Sequence, residues 1–288
     1  MAVRKALIPV AGQGTRLRPL TRVVPKALFP LVDGAGRARS VLHVICAAAG
    51  AAGIEEVGVI ASPAQAPLLR QYFDAARQAG AGDLPRRIEY VIQPQPAGFG
   101  QAVLCGKEFV GRSENAFMVL LGDHVYTQPT GQPPCPAQVA SAFDSFAGAG
   151  QPCAAMIGMQ VVEPEELSRV GVAAGEPIGP RIYRCRDFIE KPSLEAARQR
   201  LVTPDLPPDH FLAHCGIYIF TTEVFDCLEE LARRPRTPGE EIQLADAQGM
   251  LLARHPGEYY LRLIHGQALD TGTPQQYAKT FAKMADTQ

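Results

Sequence analysis

The sequence predicts an α/β fold: a mixed, mostly parallel sheet flanked by helices. Three observations carry that expectation. Short apolar runs alternate with longer segments of helical periodicity. Several runs are apolar throughout, as strands covered on both faces are. Glycine-rich turns follow the runs, where an open α/β sheet places its ligand.

The elements follow in order. Residues 6–10 (ALIPV) form the first strand, and an Ala-rich helix covers 41–52. Residues 56–61 (EVGVIA) are a second strand. A helix over 65–79 sets Leu68, Leu69, Tyr72, Phe73 and Ala76 on one face. A strand over 88–93 precedes a short helix over 101–109, opened by Gly98-Phe99-Gly100. Residues 116–121 form an apolar strand ended by Gly122-Asp123-His124. The second half is less regular, with strands at 154–161, 182–189, 215–220 and 259–264. Helices are expected at 224–232, 242–254 and 274–284. Proline-rich stretches at 128–136 and 203–208 read as surface loops. No internal repeat or charge run marks a boundary, so a single domain over 1–288 is expected.

Composition narrows the function. The 288 residues carry 28 Lys+Arg against 29 Asp+Glu, a formal charge of −1, which argues against a general polyanion binder such as a nucleic-acid protein. With 47% hydrophobic and 20% charged residues, wholesale disorder is not expected. The longest apolar run, 44–54, is mostly Ala and Gly and is far short of the roughly 20 residues a membrane span needs. Arg4 and Lys5 before an apolar stretch resemble a leader, but Pro9 and the glycine turn after it favour a strand of the mature protein. Seven scattered cysteines without a CxxC pair fit reduced thiols of a cytoplasmic protein, not a zinc site or disulfide framework.

The segment 10–30, VAGQGTRLRPLTRVVPKALFP, holds the densest chemistry. Glycines after a buried strand let a ligand approach the backbone, and successive N–H groups there form an anion-binding concavity. Six basic residues (Arg4, Lys5, Arg16, Arg18, Arg22, Lys26) and no acidic one lie before Asp33. A phosphate compound is the expected ligand; a plain strand-to-helix turn beside a solvated basic face is the other reading. The loop is not a Walker A sequence, which needs GxxxxGK[ST]. Leu17 replaces the third glycine of a dinucleotide fingerprint, which argues against a nicotinamide-dependent oxidoreductase. Prolines 19, 25 and 30 forbid a regular helix directly after the loop.

The string A-G-x-G-T-R-L-x-P-L-T-x-x-x-P-K-x-x-x-P over 11–30 resembles the signature of the sugar-1-phosphate nucleotidyltransferases, and most of all their bacterial UTP–glucose-1-phosphate uridylyltransferase branch. The resemblance runs from Arg4 to about Lys283. It implies a Rossmann-like fold of the nucleotide-diphospho-sugar transferase type, with residues 1–150 as the nucleotide half and 151–288 as the sugar-phosphate half. It implies a triphosphate loop from Ala11, Gly12, Gly14 and Thr15, with Arg16 and Lys26 on the phosphates. Gln93 and Gly98 match its base-recognition segment; an amide can pair with a uracil edge. Gly122 lies beside the nucleotide. Asp123 and Asp270, the latter in Leu-Asp-Thr-Gly-Thr, match its Mg²⁺ carboxylates, and Mg²⁺ favours one or two carboxylates plus phosphate oxygens. Glu190-Lys191-Pro192, Gly171 and Glu241 match its sugar-phosphate pocket, with Lys191 on the phosphate and Glu190 and Glu241 on the sugar.

Read alone, Gln93 is an ordinary surface glutamine, Asp123 a helix cap, and EKP a solvent turn. His124 is outside the motif and reads as a loop residue. The implied partners are UTP and a sugar 1-phosphate, with homo-oligomerisation as a dimer or tetramer. Three departures stand out. Residues 31–41 read LVDGAGRARSV, longer than the family's segment. Residues 73–88 look shorter. His214-Cys215-Gly216-Ile217-Tyr218 stands where glucose-specific members have Gly-Arg-Tyr. A thymidylyltransferase using dTTP, which Gly-Thr-Arg-Leu-x-Pro-Leu-Thr and Leu-Asp-Thr-Gly-Thr also resemble, and a non-catalytic nucleotide-sugar binder on the same fold are the alternatives.

Overall fold

The computed structural model describes residues 3–112, 114–235, 237 and 239–286. In chain order the strands are β1 (Lys5–Pro9), β2 (Pro30–Val32), β3 (Ala38–Ser40), β4 (Glu56–Ala61), β5 (Arg87–Ile92), β6 (Ala116–Leu120), β7 (His124–Thr127), β8 (Ala155–Val162), β9 (Gly171–Gly179), β10 (Ile182–Glu190), β11 (Phe211–Thr221), β12 (Tyr259–Leu263) and β13 (Gln267–Asp270). The α-helices are α1 (Val41–Ala51), α2 (Ala66–Gln78), α3 (Phe99–Cys105), α4 (Lys107–Val110), α5 (Cys135–Gly148), α6 (Leu194–Arg200), α7 (Val224–Arg233), α8 (Leu244–Arg254) and α9 (Pro274–Ala285).

Among the described residues, nine strands form one sheet in the order β5-β4-β1-β6-β11-β8-β12-β10-β9. The pairs β5–β4, β4–β1, β1–β6 and β8–β12 are parallel, and the others are antiparallel. The first half thus builds the parallel part, and β11 joins it antiparallel to the second half. Buried clusters lie on both faces of this sheet. Ile8, Met118 and Ile45 belong to one, and Leu7, Phe117 and Phe225 to the other. The alternation of Leu7 and Ile8 explains why β1 reads as apolar without period: both of its faces are covered.

Most predicted elements are present, and the differences have local causes. Residues 135–148 form α5, although 128–136 reads as a loop. Pro134 caps that helix and Pro136 sits in its first turn, where the missing N–H costs nothing. Val139, Ala140 and Phe143 then face the core. The helix expected over 101–109 starts at Phe99 and breaks at Gly106, where a side chain would run into Leu7. The helix expected from Ile242 begins at Leu244, because the backbone of Ile242 is bonded to Ala97 and Gly100.

Residues 31–41 form the β2–β3 hairpin, turned around the Asp33 carboxylate, which accepts from the N–H groups of Ala35 and Arg37. The prolines in 19–30 leave only three single-turn helices, Thr15–Leu17, Leu20–Arg22 and Lys26–Leu28. No helix among the described residues is long and apolar enough to cross a membrane. All seven cysteines are free. Burial pushes the thiol of Cys135 up to about 11 and those of Cys153 and Cys185 up to about 12, which keeps them protonated and unreactive.

Candidate active site

The site lies at the carboxyl ends of β1, β5 and β6, with β7 and β13 added outside the main sheet. The chain leaves β1 through Gly12 and Gly14. Gly14 has φ +59°, its carbonyl accepts from the Thr21 hydroxyl at 2.8 Å, and an added Cβ would lie 2.9 Å from Thr21 Cγ2. The loop is thus folded back onto the single-turn helix Leu20–Arg22, which leads to Lys26. Gly12 and Thr15 are exposed, and Ala11 is buried under the turn. Of the six basic residues, two serve elsewhere. Arg4 pairs with Glu55, and the Lys5 ammonium donates to the carbonyls of Phe109 and Val110. The local charge excess facing the loop therefore comes from Arg16, Arg18, Arg22 and Lys26.

Lys26 Nζ lies 2.6 Å from Asp123 Oδ2. His124 Nδ1 lies 2.9 Å from Asp123 Oδ1. Burial raises the Asp123 carboxyl, but the hydrogen bonds and charges of His124 and Lys26 outweigh it and hold the group well below the ordinary carboxylate range. Asp123 is therefore ionised at any working pH. Asp270 is brought to it by β13, which pairs antiparallel with β7 and sets Asp270 opposite His124. The Thr271 N–H and hydroxyl both donate to the Asp123 carbonyl at 2.9 Å. One ligand atom each from Asp123, His124 and Asp270 lies within 4.8 Å of the others, a set able to hold a divalent cation. His124, read from sequence as a bystander, belongs to this cluster; its adjacency to Asp123 was the available signal. Gly122 fits only because it has no side chain, since a Cβ would lie 2.4 Å from the Pro9 carbonyl oxygen. That contact seats the Asp123 turn on the end of β1.

Arg16, Lys191 and Asp270 share a cleft of about 440 Å³ with Arg169, Gln276 and Lys279. The sequence reading missed the last three. Gln276 and Lys279 stand three apart on α9, directly after the Asp270 motif, and that spacing was their signal. Lys191 directly follows β10 at φ +51°, a left-handed conformation uncommon for a side-chain-bearing residue, and its N–H donates to the Val170 carbonyl. Glu190 pairs in register with Gly171, and an added Cβ on Gly171 would lie 2.8 Å from Glu190 Oε2. Glu190 and Glu241 line a second groove of about 1170 Å³ between β10 and α8.

Gln93 is 5% exposed at the end of β5. Its amide N–H₂ donates to Gln101 Oε1 at 2.5 Å and to the Gly98 carbonyl at 3.4 Å. Its Oε1 has no donor among the described residues. Gly98 has φ +105°, and an added Cβ would lie 2.4 Å from the Ile242 carbonyl oxygen. That direction is filled by the protein: residues 97–100 and 241–242 run against each other, held by Gly100 N–H to Ile242 O at 2.8 Å and Ile242 N–H to Ala97 O at 2.9 Å. This backbone crossing gives a further reason for a glycine at 98, beside room for a base, and ties Gln93 to the segment that carries Glu241.

Beneath Gly171 lies His214, 8% exposed, with its ring 5.8 Å from those of Phe188 and Tyr218 and its Nε2 unpartnered. Burial pulls its imidazole down to about 4. Its neutral form is favoured by folding, so its contribution is complete above the ordinary value of 6.5 and is lost as pH falls towards 4. The shift corresponds to about 3 kcal/mol at most. Melting between pH 7 and pH 4.5 should drop less in His214→Gln than in the parent chain. An equal drop would show that other groups set the acid sensitivity.

The chain is similar to known proteins along nearly its whole length. The chain is 30% identical over 302 residues to a Bacillus subtilis (strain 168) protein provisionally named a UTP–glucose-1-phosphate uridylyltransferase, covering 99% of this chain and 98% of that one. A second protein of that organism, named UTP–glucose-1-phosphate uridylyltransferase, is 31% identical over 261 residues, or 85% of this chain and 79% of that one. Among solved structures, a UDP-glucose pyrophosphorylase complexed with UDP-glucose superposes with a TM-score of 0.77 at 25% identity, over 98% of both chains. Residues 5–287 match the family described as Nucleotidyl transferase, and the chain belongs to that family.

Proposed function

We propose that the protein transfers a uridylyl group from UTP to a sugar 1-phosphate, with glucose 1-phosphate as the first candidate, releasing pyrophosphate. The observation that carries the chemistry is the convergence of Lys26, Asp123 and Asp270 at the strand ends, beside a cleft that holds Arg16 and Lys191. The uridylyl choice is supported by the names of the relatives.

In this reading a phosphate oxygen of the sugar phosphate attacks the α-phosphorus of UTP. The bond from that phosphorus to the bridging oxygen of the β-phosphate breaks, and pyrophosphate leaves. A phosphate monoester is already a nucleophile, so the protein's task is alignment and charge neutralisation. Backbone N–H groups of the Gly12–Thr15 turn hold the triphosphate, while Arg16 and Lys26 neutralise it. Lys191, fixed at the end of β10, holds the attacking phosphate. Gln93 Oε1 accepts from the imide N–H of the base, and Glu190 and Glu241 accept from sugar hydroxyls. Asp123 and Asp270 would hold Mg²⁺, which would supply positive charge against the phosphates. Their fit to a cation is supported by the ammonium of Lys26 already seated on Asp123. A cytoplasmic homo-oligomer, dimer or tetramer, completes the reading, and light scattering measures the assembly.

The test is pyrophosphate release with Mg²⁺, glucose 1-phosphate and each of UTP, dTTP, GTP and ATP, with and without EDTA. Release with UTP that EDTA abolishes is expected. Release with dTTP alone would move the protein to a thymidylyltransferase, and Gly216-Ile217-Tyr218 in place of Gly-Arg-Tyr makes the sugar worth varying as well. No release across a panel of sugar 1-phosphates would overturn the enzyme reading.

A further inference from the structure

His124 is not needed for the reaction just described, yet it is built into the cation cluster. Its strand pairing sets it opposite Asp270, and Asp270 is fixed by Gly272 N–H to its Oδ1 and by the Thr280 hydroxyl to its carbonyl. Its Nδ1 lies 2.9 Å from Asp123 Oδ1. Ligand atoms at neighbouring corners of an octahedron with bonds of about 2.1 Å lie about 3 Å apart, and opposite corners about 4.2 Å apart. The 2.9 Å pair matches neighbouring corners, with a cation taking the place of the proton the two atoms share, and the 4.8 Å span of the three residues must close by about 0.6 Å to fit opposite corners.

The donor set matters for the choice of ion. Two carboxylates and phosphate oxygens suit Mg²⁺, whereas an imidazole nitrogen favours a first-row transition ion. We propose that His124 is a third side-chain ligand of the metal site and makes it bind Mn²⁺ in preference to Mg²⁺. The inference rests on the proposed metal role of Asp123 and Asp270, but its test needs no turnover. A failure here would therefore leave nucleotidyl transfer to be judged by pyrophosphate release.

The experiment is pulsed electron paramagnetic resonance of Mn²⁺ bound to the full chain without nucleotide, with Mg²⁺ as competitor. Modulation from one coordinated nitrogen is expected, together with affinity for Mn²⁺ at least about ten-fold above that for Mg²⁺. His124→Asn keeps an N–H able to donate to Asp123 but lacks the imidazole nitrogen. It should lose the modulation and about ten-fold in Mn²⁺ affinity, with Mg²⁺ affinity changed by less than about two-fold. Mn²⁺ that binds without nitrogen modulation would overturn the proposal and leave His124 as a hydrogen-bond partner of Asp123. Failure of Mn²⁺ to bind at millimolar concentration would overturn it as well. The nitrogen signal of the unsubstituted chain decides the matter even where the variant does not fold.

Discussion

Lys26→Ala is expected to lower the rate of pyrophosphate release by about three orders of magnitude, the scale of losing a preorganised charge at a phosphoryl site. The expectation comes from where the ammonium is held. Pro25 and Pro30 bracket a single-turn helix, Ala27 and Phe29 anchor it in the core, and Lys26 is thereby aimed at Asp123. A phosphate bound at the Gly12 turn would meet a charge already in place, with little side-chain entropy left to lose. The side chains of Lys26 and Asp123 are 22% and 29% exposed, so water can reach the vacated space, and the melting temperature should move by only a few degrees. Steady-state rates with saturating substrates, set beside a melting curve, check both halves. A loss below about ten-fold would remove Lys26 from the phosphate-binding machinery. Lys26→Arg should recover only part of the rate, because a planar guanidinium does not replace a compact ammonium at the same spot.

Gly98→Ala should impair the protein by a different route. At φ +105° a side chain is strained, by about 1–3 kcal/mol, before any contact is considered. The added methyl would also sit 2.4 Å from the Ile242 carbonyl oxygen, which is backbone and has no rotamer to change. The crossing between residues 97–100 and 241–242 must open, breaking the Gly100–Ile242 hydrogen bond. Gln93 moves with it, because its amide is bonded to Gly98 and Gln101. The expected result is a rise of about ten-fold or more in KM for the nucleotide, and a melting temperature lower by about 5–10 °C. An unchanged KM would separate the 93–101 segment from base binding.

The sequence made the strand-and-helix order legible because the buried strands are apolar on both faces and the helices carry one apolar face. The loop proposed to hold phosphate was equally plain, since its glycines, prolines and unopposed basic residues all lie within one short stretch. The misreadings occurred where a residue type serves two purposes. Prolines 134 and 136 looked like loop punctuation and instead open α5. Gly98, read as room for a base, also lets two backbones cross. His124 showed only its adjacency to Asp123 in the sequence, because Asp270 is opposite it only through the β7–β13 pairing. Gln276 and Lys279 show their shared helix face in their spacing, but the Arg16 cleft they line is closed only by the fold.

That closure has a consequence for how the protein would wear out. The two-stranded β7–β13 ribbon is separate from the nine-stranded sheet. Asp270 stays beside Asp123 through Thr271, through that ribbon, and through α9, whose Tyr277 hydroxyl bonds to the Pro30 carbonyl and whose ring packs edge-on to Phe29. Such a unit can open on its own, at a free energy below that of unfolding the whole chain. Heat would then take away activity before it takes away secondary structure. Amide hydrogens of residues 267–285 would exchange sooner than those of β1 and β6, and a bound metal ion, by tying the two carboxylates together, would slow them.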